Sequence, residues 1–90
     1  MDTPRQHLAE LLRGGRNTSG LSLRAAAERL TNKMGDSYSY SALASYESGK
    51  SLPSPGVVME LVKLYDMPEK DCRLAEALRG AIPNNTRGAA

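Results

Sequence analysis

Apolar residues recur at intervals of three and four along most of the chain, a spacing that predicts amphipathic helices and not strands. The first such segment opens with Thr3 and Pro4, a capping hydroxyl followed by a proline suited to the first helical position. Its apolar face carries Leu8, Leu11 and Leu12. We therefore expect a first helix that packs lengthwise on the rest of the domain.

Two adjacent glycines leave the end of this first helix open. Gly14 and Gly15 would each weaken a helix interior by about 1 kcal/mol relative to alanine. The helix is predicted either to end near Arg13 or to continue to Arg16 because tertiary contacts hold it. In both cases residues 17–20 are expected to form a polar loop.

The next two segments are short, and both carry capping signals. The second helix is predicted to start after Ser22, whose hydroxyl can accept from the free amides of the opening turn. The third is predicted to start after Ser39, to turn Leu43 and Tyr46 inward and to stop at Gly49. The inward positions of the second helix are Leu23, Ala26, Ala27 and Leu30. The outward positions of the third are small or hydrogen-bonding: Tyr40, Ser41, Ala42, Ser45 and Ser48.

Two further helices complete the predicted fold. The fourth opens at Ser54 and Pro55, and the fifth opens at Pro68 and ends at Gly80. Their apolar positions are Val58, Leu61, Val62 and Tyr65, followed by Leu74, Ala75 and Leu78. The chain is thus predicted to be all-α, a compact bundle of about five short helices over residues 1–80. Residues 81–90 are expected to form a flexible tail.

Composition restricts the possible functions. A chain of 90 residues builds one small core and leaves no room for an enzyme with separate binding and catalytic parts. No nucleophile has a candidate base, no carboxylates pair on an apolar helix face, and no phosphate-binding glycine loop is present. We expect neither enzymatic activity nor a bound cofactor or metal, and His7 is interpreted as a surface residue.

Charge adds only a modest hint. The formal net charge is +2, and the excess of basic residues lies in residues 1–33, which is compatible with phosphate contact. The one cysteine excludes an internal disulfide, and no apolar run suits a signal segment or a membrane span. A cytoplasmic protein without membrane contact is expected.

The second and third helices resemble the helix-turn-helix of the lambda-repressor-like (Cro or XRE-type) DNA-binding family. The resemblance covers roughly residues 8–67, and the third helix ends in that family's aromatic-Glu-x-Gly-Lys style. The residues that carry it are Leu21, Ser22, Ala27, Leu30, Tyr46-Glu47-Ser48-Gly49-Lys50 and Pro53-Ser54. By this resemblance, the third helix enters the major groove of DNA.

The resemblance also implies roles for individual residues. Arg16 and Glu47 occupy positions that form an internal ion pair in some family members. Leu23 stands where a phosphate-binding glutamine is common, so that contact must come from elsewhere. The implied base-reading residues are Tyr40, Ser41, Ala44 and Ser45. The implied phosphate-binding residues are Ser22, Arg24, Lys33, Ser39, Ser48, Lys50 and Ser51.

The connection between the second and third helices is longer than the family pattern, with residues 31–36 as the surplus. One solution lengthens the second helix by a turn, buries Met34 and caps it at Gly35. The other is a flexible loop over residues 31–38 at the edge of the groove. In either case Lys33 is a candidate for a phosphate contact.

Two functions remain open at this stage. The first is a sequence-specific duplex-DNA-binding regulator of repressor type, acting as a homodimer on a two-fold symmetric operator without a small-molecule ligand. Its dimer surface would most simply come from Leu74 and Leu78 or from the exposed side of the fourth helix. The second is a helix-turn-helix scaffold used as a protein-interaction module, such as an antitoxin or a bridging factor. The modest charge favours the second, as does a third helix without Arg, Asn or Gln.

Overall fold

The computed structural model describes residues 3–83, and within them five α-helices form with no strand. They are α1 (Pro4–Ser19), α2 (Leu23–Met34), α3 (Tyr40–Ser48), α4 (Pro55–Leu64) and α5 (Glu69–Gly80). The predicted all-α class and the number of helices are confirmed. The tail predicted for residues 81–90 lies outside the described residues from residue 84 onward.

Local capping chemistry sets most of the helix ends. The first four helices each begin after a hydroxyl residue whose Oγ accepts from a backbone amide in the first turn: Thr3, Ser22, Ser39 and Ser54. The first three helices each stop at a glycine in the left-handed conformation, Gly20, Gly35 and Gly49. These signals explain why the predicted starts of α2, α3 and α4 and the predicted end of α3 agree closely with the structure.

The first helix is longer than either predicted alternative. It runs through Gly14 and Gly15 to Ser19, so residues 17–19, expected in a loop, are helical. Gly20, at φ 81°, ends it by donating its amide to Arg16 O and Asn17 O. The two glycines fail to stop the helix because tertiary contacts compensate for their conformational entropy, among them the close approach of Met67 to Gly15.

Gly15 of α1 lies close to Met67, in the segment between α4 and α5. A Cβ built on Gly15 would lie 2.7 Å from Met67 Sδ, whereas one built on Gly14 meets nothing within 4 Å. Gly14→Ala is therefore expected to raise the free energy of unfolding by about 0.5–1 kcal/mol. Gly15→Ala is expected to be less stable than Gly14→Ala by about 1 kcal/mol or more, because buried Met67 must move. Urea denaturation of both variants tests the contact between Gly15 and Met67. Equal gains in the free energy of unfolding would contradict it.

The long connection takes the first of the two predicted forms. Helix α2 extends through half-buried Met34, and Gly35 at φ 83° ends it. The alternative of a flexible loop over residues 31–38 is wrong for residues 31–34, because they are helical. The hydroxyl of Thr31 also accepts from the amide of Tyr38 and donates to its carbonyl, at 2.8 and 3.2 Å. This pair of hydrogen bonds fixes the segment that leads into α3.

All five helices contribute to one core. Helix α3 packs on α1 and α2, while α5 packs on α1 and α4. The most completely buried large side chains are Leu8, Leu12, Leu30, Leu43, Leu61, Val58 and Val62. Leu74, one of the apolar positions predicted for α5, lies outside this core and is 36% exposed. The inward side of α5 is formed instead by Ala75, half-buried Leu78 and the buried Arg79.

Candidate nucleic-acid interface

Helix α3 packs against the rest of the domain along its inner side. Leu43 is its only buried residue, 1% exposed, and enters the common core. Half-buried Tyr46, three residues later, packs against the same core, and burial raises the pKa of its hydroxyl. The inward pair predicted from the sequence therefore faces inward. A nine-residue helix forms few internal hydrogen bonds, so these tertiary contacts supply much of its stability.

An ion pair connects the end of α1 to the last turn of α3. Arg16 Nε and Nη2 donate to the two carboxylate oxygens of Glu47 at 2.7 and 3.0 Å, and Arg16 Nη1 donates to Leu21 O at 2.9 Å. The side chains are only 15% and 9% exposed. Hydrogen bonding to Glu47 raises the pKa of Arg16. Burial raises the pKa of nearby Tyr65, and the charge of Glu47 raises it further. The charge of Glu47 is thus neutralised inside the domain.

A second arginine of α1 holds the carboxyl end of α3. Arg5 Nε donates to Gly49 O at 2.9 Å, and Arg5 Nη2 donates to Lys50 O at 3.0 Å. A guanidinium at this place also offsets the negative end of the α3 dipole. Leu43, Glu47 and these two carbonyls give α3 three separate attachments. The helix is therefore presented on a rigid support.

The family resemblance implies base-reading roles for four residues of α3: Tyr40, Ser41, Ala44 and Ser45. Tyr40 is 45% exposed, and Ser41 is also exposed. Ala44 and Ser45 are half-buried and lie further along the helix. The Cζ atom of Arg24, in the first turn of α2, lies 4.6 Å from the centroid of the Tyr40 ring. The amino ends of α2 and α3 therefore lie side by side, with a cation and an aromatic ring between them.

The residues predicted to bind phosphate differ in how they are placed. Ser22 Oγ and Ser39 Oγ accept from backbone amides as N-caps, which leaves each hydroxyl hydrogen available as a donor. Ser48 Oγ instead donates to Ser45 O at 3.1 Å, so its hydrogen is engaged within its own helix. The exposed members of the set, apart from the two caps, are Arg24, Lys33, Ser48, Lys50 and Ser51.

Two structural arginines were not identified by sequence reasoning. Arg5 carries no local signal of this role, because the carbonyls that it holds lie 44 and 45 residues away in the chain. Arg79 is 6% exposed, and its Nε donates to Pro53 O at 2.7 Å. Burial lowers the pKa of Arg79. Neither contact leaves a local signal in the sequence, because both partners are backbone carbonyls of distant segments.

One comparison with known proteins agrees with this fold. A family model described as a helix-turn-helix domain matches residues 7–79. No curated protein and no solved structure matches significantly. Among residues 3–83, no helix is long and apolar enough to cross a membrane. Nor do any three His, Cys, Asp or Glu side chains of that part of the chain cluster as metal ligands would.

Proposed function

The chain belongs to the helix-turn-helix domain family, and from this premise we propose that it is a sequence-specific, duplex-DNA-binding transcription regulator of repressor type. Its third helix, α3, would enter the major groove, whose width admits an α-helix. The observation that carries the proposal is the contrast between the two sides of α3. Leu43 and Glu47 are engaged by the domain, while Tyr40 and Ser41 stay open to solvent.

Rigid attachment of α3 supports groove reading for a physical reason. A base edge is recognised by hydrogen bonds of fixed direction, and a preorganised helix loses little entropy when it binds. The neutralised Glu47 also removes a charge that would repel phosphate from the end of α3. Serine hydroxyls at residues 41 and 45 can bond several bases, and Ala44 can touch a thymine methyl group.

Phosphate contacts would position the helix in the groove. The hydroxyls of Ser22 and Ser39 stand at the positive amino ends of α2 and α3, where an anion is favoured. Further exposed donors are Lys33 in the last turn of α2 and Lys50 and Ser51 just after α3. Such contacts fix register without reading sequence.

The proposed regulator acts in the cytoplasm as a homodimer on a two-fold symmetric operator. A single small module buries limited surface on DNA, and a second copy doubles the contacts and the specificity. Leu74, exposed on α5, is the apolar side chain available for the dimer surface, and half-buried Leu78 lies one turn further on. No cofactor or small-molecule ligand is required.

The proposal is tested by binding of the purified protein to its own promoter DNA and to random duplex across a salt series. Wild-type protein is expected to prefer the promoter. The double variant Ser41→Ala/Ser45→Ala is expected to lose part of that preference while still binding both duplexes. Lys50→Ala should weaken binding to both duplexes by the same factor. It should also reduce the slope of log affinity against log salt concentration by about one. Lys70→Ala, on α5, is the matched control and should change neither the affinity for the duplexes nor the salt slope.

The same experiment separates the proposal from the alternative function. Absence of salt-dependent binding of wild-type protein to either duplex would contradict DNA regulation. The protein-interaction module would then become the better explanation of the domain, with the outer side of α3 as the surface to test first.

A further inference from the structure

Arg24 and Tyr40 form a pair on the outer side of the domain. Arg24 is the second residue of α2 and Tyr40 is the first residue of α3, and both are exposed. Their 4.6 Å separation, from guanidinium carbon to ring centroid, is a cation–π contact. Glu28 lines the same shallow surface pocket, together with Ala27. Within residues 3–83, ion pairs join Arg16 to Glu47 and Arg73 to Glu69, but none joins Arg24 to Glu28.

The pair supplies what α3 itself lacks. Helix α3 reads Tyr-Ser-Ala-Leu-Ala-Ser-Tyr-Glu-Ser, without an Arg, Lys, Asn or Gln that could form two hydrogen bonds to one base. Serine and alanine alone give a degenerate reading. The guanidinium that the structure places against the exposed amino end of α3 belongs to α2.

We propose that Arg24 is the principal specificity-determining residue and donates two hydrogen bonds to O6 and N7 of a guanine, with Tyr40 as the platform that holds its guanidinium. This inference rests on the proposed function and assigns Arg24 a base contact in place of the phosphate contact implied by the sequence. Tyr40 acts in it through its ring and not through its hydroxyl.

The chemistry of the two side chains favours this arrangement. Stacking occupies the flat face of a guanidinium, while its N–H donors lie in the plane and stay free. Those donors form a rigid fork that matches the paired acceptors of guanine in the major groove. A ring that already orients the fork reduces the rotamer entropy lost on binding.

The first part of the test measures base preference. Binding sites are selected from a random duplex library with wild-type protein, Arg24→Gln and Arg24→Ala, and affinities are then measured on single-base variants of the preferred site. Wild-type protein should prefer guanine at one position of each half-site by about ten-fold or more. Arg24→Gln should shift that position toward adenine, and Arg24→Ala should lose preference there. Preferences at the other positions should persist.

Two further comparisons isolate the atoms involved. Replacing that guanine with 7-deazaguanine removes the N7 acceptor, so wild-type binding should fall by about ten-fold while Arg24→Ala binding stays unchanged. Tyr40→Phe keeps the ring and should keep the guanine preference. Tyr40→Leu keeps an apolar side chain without a π face and should reduce the preference several-fold.

The outcomes distinguish this inference from the proposed function. If wild-type protein selects a site but Arg24→Ala and Arg24→Gln weaken all sequences equally and lower the salt slope by about one, Arg24 is a phosphate contact. That result overturns the inference and leaves the regulator intact. Loss of guanine preference in Tyr40→Phe would overturn the role of the ring as platform. If wild-type protein binds no DNA, both the regulator and the guanine reader are excluded.

Discussion

Glu47→Ala is expected to lower the free energy of unfolding by about 3–5 kcal/mol, because it leaves the guanidinium of Arg16 largely buried without its carboxylate. The loss is a large fraction of the stability of a small domain. It should appear in urea or thermal denaturation followed by circular dichroism. At temperatures where the variant is still folded, its base preference should match wild type, since Glu47 faces the domain and not the groove.

The chain contains its own control for this prediction. Glu69 and Arg73 form an ion pair of the same length, 2.7 Å, but their side chains are 78% and 76% exposed. Glu69→Ala is expected to cost no more than about 1 kcal/mol, because solvent screens an exposed pair and holding it costs side-chain entropy. Equal losses of unfolding free energy in Glu47→Ala and Glu69→Ala would contradict the prediction that burial makes the pair of Arg16 and Glu47 contribute more than an exposed pair.

Leu43→Ala is expected to lower the free energy of unfolding by about 2–5 kcal/mol and to weaken DNA binding. Leu43 is the one fully buried side chain of α3, so its truncation removes apolar burial and leaves a cavity beneath the helix. Helix α3 should then open locally at a lower cost than the rest of the domain. Hydrogen exchange of the α3 amides, measured with promoter affinity at a temperature where the domain is folded, tests both effects.

Leu74→Ala is the matched control, since it is the same substitution on a residue that is 36% exposed. Its monomer stability should change by about 0.5 kcal/mol or less, as surface substitutions usually do. Two results would contradict the role of Leu43 in stabilising α3 through the core. One is a stability loss in Leu43→Ala no larger than in Leu74→Ala, and the other is exchange of the α3 amides as slow as in wild type.

Sequence reasoning was strongest where the deciding interactions are local. Ser22, Ser39 and Ser54 cap helices within three residues of their own position, and Gly35 and Gly49 adopt the left-handed conformation that favours glycine. The apolar spacing then assigns the inward faces, because a helix repeats every 3.6 residues. For these reasons the all-α class, the five helices and the identity of α3 could be predicted.

The resemblance added the expectation of a pair between Arg16 and Glu47, and the structure brings these two side chains together. The roles of the residues assigned to base edges and phosphates stay predictions. Helix spacing places Tyr40 and Ser41 on the outer side of α3, but it does not say which of the assigned residues contacts DNA.

What the sequence by itself determined is thus the set of helices, the capped starts of α2, α3 and α4 and the inward face of α3, because each depends on neighbours a few residues away. Only the tertiary structure decided that α1 continues through Gly15, that Arg5 holds the end of α3 and that Arg24 lies over Tyr40. These contacts join residues 16 or more positions apart, and their energies depend on how the helices pack. No periodicity or capping signal along the chain encodes such a distance.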